Sequence, residues 1–158
     1  FIFDNFSKVE IINILGHQSD EDYLKEEYKH KNGYSAYNRD FILFLLSDKK
    51  SGKIIGRCGL HNWNKDHNRA EIGYNMSFDT FKRKGLMSEA VAKIINYGFK
   101  VLQLHRIEAL VSENNIPSKK ILEKFNFTKE ALLREHYFNG NKYENSLLFS
   151  ILNSEYFD

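Results

Sequence analysis

The chain has 158 residues, 42% hydrophobic and 28% charged, with a formal net charge of +2. That length suits one domain, residues 1–158, with a core of its own, and the near-balance of charge argues against a broad nucleic-acid-binding face. A single cysteine, Cys58, excludes an internal disulfide, and neither a membrane-spanning run nor a signal-peptide layout is present, so a cytoplasmic location without a membrane partner is expected.

Residues 7–31 are helical in character. Val9, Ile11, Ile12, Ile14 and Leu15 crowd a segment closed by Gly16, and Ser19 or Asp20 can cap a second with Tyr23, Leu24 and Tyr28. Residues 41–46 are too few and too uniformly apolar for a surface helix, which predicts a buried strand. A turn over residues 48–53 returns the chain in a strand over 54–61, and residues 62–68 form a polar loop around Trp63. Another strand follows over 69–76. From Leu86, the positions Met87, Ala90, Val91, Ile94, Ile95, Phe99 and Leu102 fall on one helical face. Ile107, Ala109 and Val111 alternate with Glu108, Leu110 and Ser112 in a central strand. A short helix with Ile121, Leu122 and Phe125 inward ends at Asn126, a residue that tolerates the left-handed conformation. Residues 127–135 and 143–152 flank the hairpin signal Asn139-Gly140.

The stretch from Ala70 through the basic segment Lys82-Arg83-Lys84-Gly85 into the Leu86 helix reads as strand, glycine loop and helix start. Backbone N–H groups and the positive end of a helix dipole converge there, which suits a phosphate. It is neither a Gly-x-x-x-x-Gly-Lys-Ser/Thr loop nor a Gly-x-Gly-x-x-Gly fingerprint. A glycine turn with a solvated basic rim is the plain alternative.

This segment resembles the acyl-CoA signature of the GNAT N-acetyltransferases, Arg/Gln-x-x-Gly-x-Gly/Ala, with Lys82 first, Gly85 central and Met87 last; Lys82 and Met87 depart from the usual residues. Downstream, Asn115-Ile116-Pro117-Ser118 resembles the family's Asn-x-x-Ser/Ala, and Glu123-Lys124-Phe125-Asn126-Phe127 its Glu-Lys-Leu-Gly-Phe. The ending, with Arg134-Glu135-His136-Tyr137 and Tyr143-Glu144-Asn145-Ser146, resembles the RimJ/RimL branch, whose members acetylate protein N-termini among other amines. The resemblance implies a mixed α+β GNAT-like domain with about six or seven mostly antiparallel strands and about four helices. In that fold two parallel strands, here 69–76 and 105–112, splay around the cofactor's pantetheine arm. The family's additional first strand would have to come from Phe1-Ile2-Phe3.

What the resemblance implies for the site is acetyl-CoA held by Met76, Phe78, Lys82, Arg83, Lys84, Gly85, Leu86, Met87, Ser88, Asn115 and Ser118. Glu71 can accept a proton from the substrate ammonium; the plain alternative pairs it with Arg69 or Arg106. Asn115 is equally a helix N-cap. Where many family members carry a Tyr general acid this chain has Leu122, which leaves Ser118 or water to protonate the departing thiolate. His61, Trp63 and His136 are expected on the substrate side, with no metal site, and Cys58 reads as a core thiol.

A lysine amine, at pKa ~10.4, must give up roughly 4 kcal/mol to be neutral at pH 7, against about 1 kcal/mol for an α-amine at ~7.7–8.0. A site without an obvious strong base therefore suits a protein or peptide N-terminus. The expected activity is acetyl transfer by direct attack of such an amine in a ternary complex, by a monomer or homodimer. A non-catalytic acyl-CoA-binding module, or an acetyltransferase for a polyamine or antibiotic, stands as the alternative.

Overall fold

A computed structural model describes residues 2–32 and 40–157. Six strands, β1 (Asp40–Ser47), β2 (Ile54–Asn64), β3 (Arg69–Met76), β4 (Arg106–Ser112), β5 (Thr128–Phe138) and β6 (Tyr143–Leu152), form one sheet in the order β1-β2-β3-β4-β6-β5. Every neighbouring pair is antiparallel except β3 and β4. Those two pair only at Arg69 with Arg106, Ala70 with Ile107 and Glu71 with Glu108, and then part. This is the mixed, mostly antiparallel α/β sheet expected of a GNAT fold.

Among the described residues six α-helices accompany the sheet: α1 (Ile2–Asn5), α2 (Lys8–Leu15), α3 (Asp20–Asn32), α4 (Leu86–Lys100), α5 (Ile116–Lys124) and α6 (Asn153–Phe157). Local chemistry sets their ends. Ser7 and Glu10 form a reciprocal capping box at α2, and Gly16 closes that helix at φ 70°. Ser19, rather than Asp20, caps α3, exchanging hydrogen bonds with Asp22. Val91, Ile94, Ile95 and Phe99 of α4 are buried against β2 and β3, as their spacing predicts. Gly98 lets α4 lie close on the sheet, since an added Cβ would stand 2.9 Å from the Ile107 side chain. Asn126, at φ 59°, ends α5 with the Phe127 N–H donating to the Leu122 carbonyl.

The parted strands are fastened at one end by charge. Arg69 Nη1 and Arg106 Nε reach Glu108 at 3.2 and 2.8 Å, and Arg106 also donates to Glu130 on β5 at 2.8 Å. Ser150 on β6 donates to the same Glu130 carboxylate at 2.6 Å. Four strands, β3, β4, β5 and β6, are thereby tied beside the last paired residues of β3 and β4.

Three expectations are corrected. Ile2 and Phe3 lie in α1, not a strand, and Phe1 falls outside the described residues. The 41–46 run is an edge strand, not a buried one, with Phe41, Leu43 and Phe44 at 44%, 47% and 39% exposure. The strand ending at His61 continues to Asn64, because a bulge at Asn62, φ 49°, carries the pairing past the polar residues.

Candidate active site

Beyond Glu71 and Glu108 the main chains of β3 and β4 no longer bond to each other. The Ser77 N–H bonds to the Ile55 carbonyl, so the alternation along β2 and β3 turns the main-chain groups of Ile72, Tyr74 and Met76 toward the gap. Two cavities occupy this region. One of about 890 Å³ lies under the start of α4, and one of about 470 Å³ lies between β3, β4 and the β5–β6 hairpin. They meet at Tyr74, Asn115 and Ser118, which line both.

The larger cavity is lined by Met76, Lys82, Arg83, Gly85, Leu86, Met87 and Ser88, together with Asn75, Asp79, Phe81, Pro117 and Ile121. Gly85 is the N-cap of α4 at φ 78° and Arg83 sits at φ 59°; the left-handed pair bends the loop back beneath the helix. The first helical bond runs from the Glu89 N–H to the Gly85 carbonyl, so the N–H groups of Leu86, Met87 and Ser88 have no partner within the helix. With the helix dipole these donors make an anion cradle. Lys82 is ion-paired with Asp79, whose carboxyl that ammonium holds below its ordinary range. These donors and cations fit a coenzyme diphosphate, and the unpaired edge of β3 fits an amide-bearing arm.

The smaller cavity brings together Glu71, His61, His136 and Ser118. Among the described residues lining it, Glu71 is the one carboxylate. Its Oε2 accepts a hydrogen bond from Asn62 Nδ2 at 2.9 Å, and its Oε1 lies 3.7 Å from His61 Nε2. Arg69 and Arg106, the alternative partners for Glu71, go instead to Glu108 and Glu130. His61 rests over Gly73, where an added Cβ would meet Nε2 at 2.8 Å. His136 Nδ1 is 3.0 Å from Ser146 Oγ, at a bulge in β5 where Glu135 adopts φ 50°. Asn115 Oδ1 caps α5 by accepting the Ser118 N–H at 3.2 Å, so the capping reading holds alongside its place at the junction.

Three predicted residues are not brought to these cavities. Trp63 packs against the hydrophobic core, with the Lys65 ammonium 5.0 Å from its ring. Strict alternation would put it on the face of His61, but the Asn62 bulge breaks that alternation. Phe78 lies edge-on to Phe81 under the Lys53 ammonium at 3.7 Å, and Lys84 stands over Phe81, which takes the lining position itself. Cys58 is buried in the core, and burial pushes its thiol up to about 12.

Sequence reasoning missed Tyr74. Its hydroxyl donates to the Ser118 carbonyl at 3.4 Å across the gap, and burial pushes its ionisation up to about 12. An aromatic on an alternating strand reads as core; only the splay makes it a cavity residue. Tyr137 and Ser146 were missed too, since they meet the cavity through the pairing of β5 with β6.

Residues 3–128 match the family described as an acetyltransferase (GNAT) domain. The uncharacterized N-acetyltransferase p20 of Bacillus licheniformis is 41% identical over 113 residues, covering 72% of this chain and 63% of that protein. Spermidine N(1)-acetyltransferase of Escherichia coli (strain K12) is 30% identical over 105 residues, 66% of this chain and 56% of that protein. The crystal structure of ribosomal-protein-S5-alanine acetyltransferase from Vibrio fischeri matches with a TM-score of 0.70 at 27% identity, covering 86% of this chain and 71% of that one. The chain spans about three fifths of the length of the two curated relatives. With the parted strands, the open helix start and the matched residues in agreement, the chain belongs to the GNAT family of N-acetyltransferases.

Proposed function

We propose that the protein transfers the acetyl group of acetyl-CoA to a primary amine bearing one positive charge, the α-amine of a peptide or protein being the acceptor that fits best. The observation carrying this reading is the meeting of two cavities at Tyr74, Asn115 and Ser118, one under an anion cradle and one holding a single lining carboxylate. Acetyl-CoA supplies an activated thioester. The Leu86, Met87 and Ser88 amides with Lys82 and Arg83 hold its diphosphate, and the gap-facing main chain of β3 orients the arm and polarises the carbonyl. Glu71 takes the proton of the incoming ammonium, with Asn62 fixing the carboxylate and His61 beside it toward solvent.

Two of the named relatives carry a substrate in their names, a polyamine in one and a ribosomal protein in the other. A polyamine would place further ammonium groups against the cavity wall. Of the other carboxylates beside this cavity, Glu144 already accepts from Tyr137 at 2.7 Å and from Asn139 and has Lys142 at 3.8 Å, while Glu108, paired in register with Glu71, is held by Arg69 and Arg106. That favours one charge on the acceptor.

CoA release should be followed with acetyl-CoA against peptides with free N-termini, their N-terminally blocked forms, and spermidine. The free peptides should turn over with the highest kcat/KM and the blocked forms should not. Glu71→Gln should lower kcat about 10²-fold at neutral pH. Tight acetyl-CoA binding without turnover of any amine would return the protein to a binding module, and a preference for spermidine would replace the acceptor.

A further inference from the structure

Resting on that reading, we propose that the Tyr74 hydroxyl, rather than Ser118, is the hydrogen-bond donor to the sulfur that leaves when the thioester is cleaved. In aminolysis the amine nitrogen bonds to the carbonyl carbon and the C–S bond breaks with its electron pair going to sulfur. Two protons leave the nitrogen; one ends on the sulfur by way of water and one passes to solvent. Negative charge therefore builds on sulfur as the bond breaks, and a donor aimed at it lowers the barrier.

The sulfur has to lie where the cofactor cavity opens into the acceptor cavity, and Tyr74 lines both. Its ring springs from β3 beyond the last paired residue, and its hydroxyl crosses the gap to the Ser118 carbonyl. At 3.4 Å that bond is long, a neutral contact readily exchanged for a charged acceptor. The position on α5 that faces the acceptor cavity is Leu122, fully buried and without a donor. Ser118 also reaches the junction, yet a phenol is the more acidic and stronger donor than an alcohol. Burial raises the Tyr74 ionisation to about 12, so the O–H is intact throughout the neutral range. A phenol held there does not surrender its proton outright to a thiolate of pKa ~8.5, which makes hydrogen bonding rather than proton transfer its contribution.

The test compares wild type, Tyr74→Phe and Ser118→Ala, with two readouts. The first titrates the thiol of bound CoA by its thiolate absorbance: wild type should depress the midpoint by about one pH unit relative to Tyr74→Phe at equal CoA affinity. The second compares acetyl-CoA with the acetyl thioester of an aromatic thiol, a better leaving group. Tyr74→Phe should lose about 10²-fold in kcat with acetyl-CoA and far less with the aromatic donor.

An unshifted midpoint, an equal loss with both donors, or a shift seen in Ser118→Ala instead would overturn the assignment to Tyr74. If wild type turns over acetyl-CoA and Tyr74→Phe matches it, this proposal alone fails. If wild type neither binds nor uses acetyl-CoA, the acetyltransferase reading fails with it. Should Tyr74→Phe not fold, Tyr74→Met removes the same hydroxyl with a flexible apolar side chain and carries both readouts.

Discussion

His61 keeps its place beside Glu71 because residue 73 has no side chain. A Cβ on Gly73 would stand 2.8 Å from Nε2 and 3.0 Å from Cδ2 of His61, and both atoms belong to the movable end of a side chain. Gly73→Ala should therefore fold with a melting temperature within a few degrees of wild type, while kcat/KM for the amine drops about tenfold as the imidazole is pushed off the carboxylate. Thermal denaturation and initial rates on the same preparation check this; a large stability loss with normal rates would show the contact to be merely structural. Single residues are also where the sequence was least legible. Glu71 was readable from its alternation along the strand, but the separation of His61 from Trp63 rests on one left-handed residue, Asn62, which no periodicity reveals. Tyr74 escaped for a related reason: its spacing is that of a core residue, and only the end of pairing at Glu71 exposes it to a cavity.

Between elements, the glycine position with least room for a side chain among the described residues is Gly59, where β2 runs against β1. A Cβ at Gly59 would come within 2.2 Å of the Ile42 carbonyl oxygen and 2.9 Å of the Leu43 Cα, which are backbone atoms and cannot swing aside. Gly59→Ala should destabilise the protein by about 2–3 kcal/mol, read as a lower urea midpoint with unchanged slope. A midpoint like that of wild type would show that the edge strand peels away freely. The elements themselves were legible wherever local chemistry decides them. The α4 stripe, the Asn115 cap and the Asn126 terminator follow from period and side-chain type. The exposure of β1 did not, because six apolar residues look alike at the edge of a sheet and at its centre; sheet order depends on which strands come to lie beside it. The first turn of α1 was hidden for a different reason, since Ile2 and Phe3 suit a strand as well as a helix.

Across the molecule, the charge fastening at the paired end of β3 and β4 joins residues 69, 106, 108, 130 and 150, too far apart in sequence for any local pattern to announce. The Arg106 guanidinium, and after it the Ser150 hydroxyl, hold the Glu130 carboxyl at about 2 against an ordinary value of 4.5. A carboxyl depressed in the folded state stabilises fully above its unfolded value, and that contribution is lost as pH falls. Denaturation midpoints should thus decline between about pH 4.5 and pH 2, and the decline should be smaller in Arg106→Met, where the largest cause of the depression is removed and the Ser150 hydrogen bond stays. Equal acid sensitivity in the two proteins would place the loss elsewhere. The sequence conveyed the order of landmarks along the chain and hence the fold; it did not convey this fastening, nor where the two cavities join. That junction has a further consequence on the proposed reading. An acyl group longer than two carbons must project through it into the acceptor's own space, so donor chain length and acceptor bulk compete for one volume, and slow turnover with a longer thioester would signal crowding rather than weak coenzyme binding.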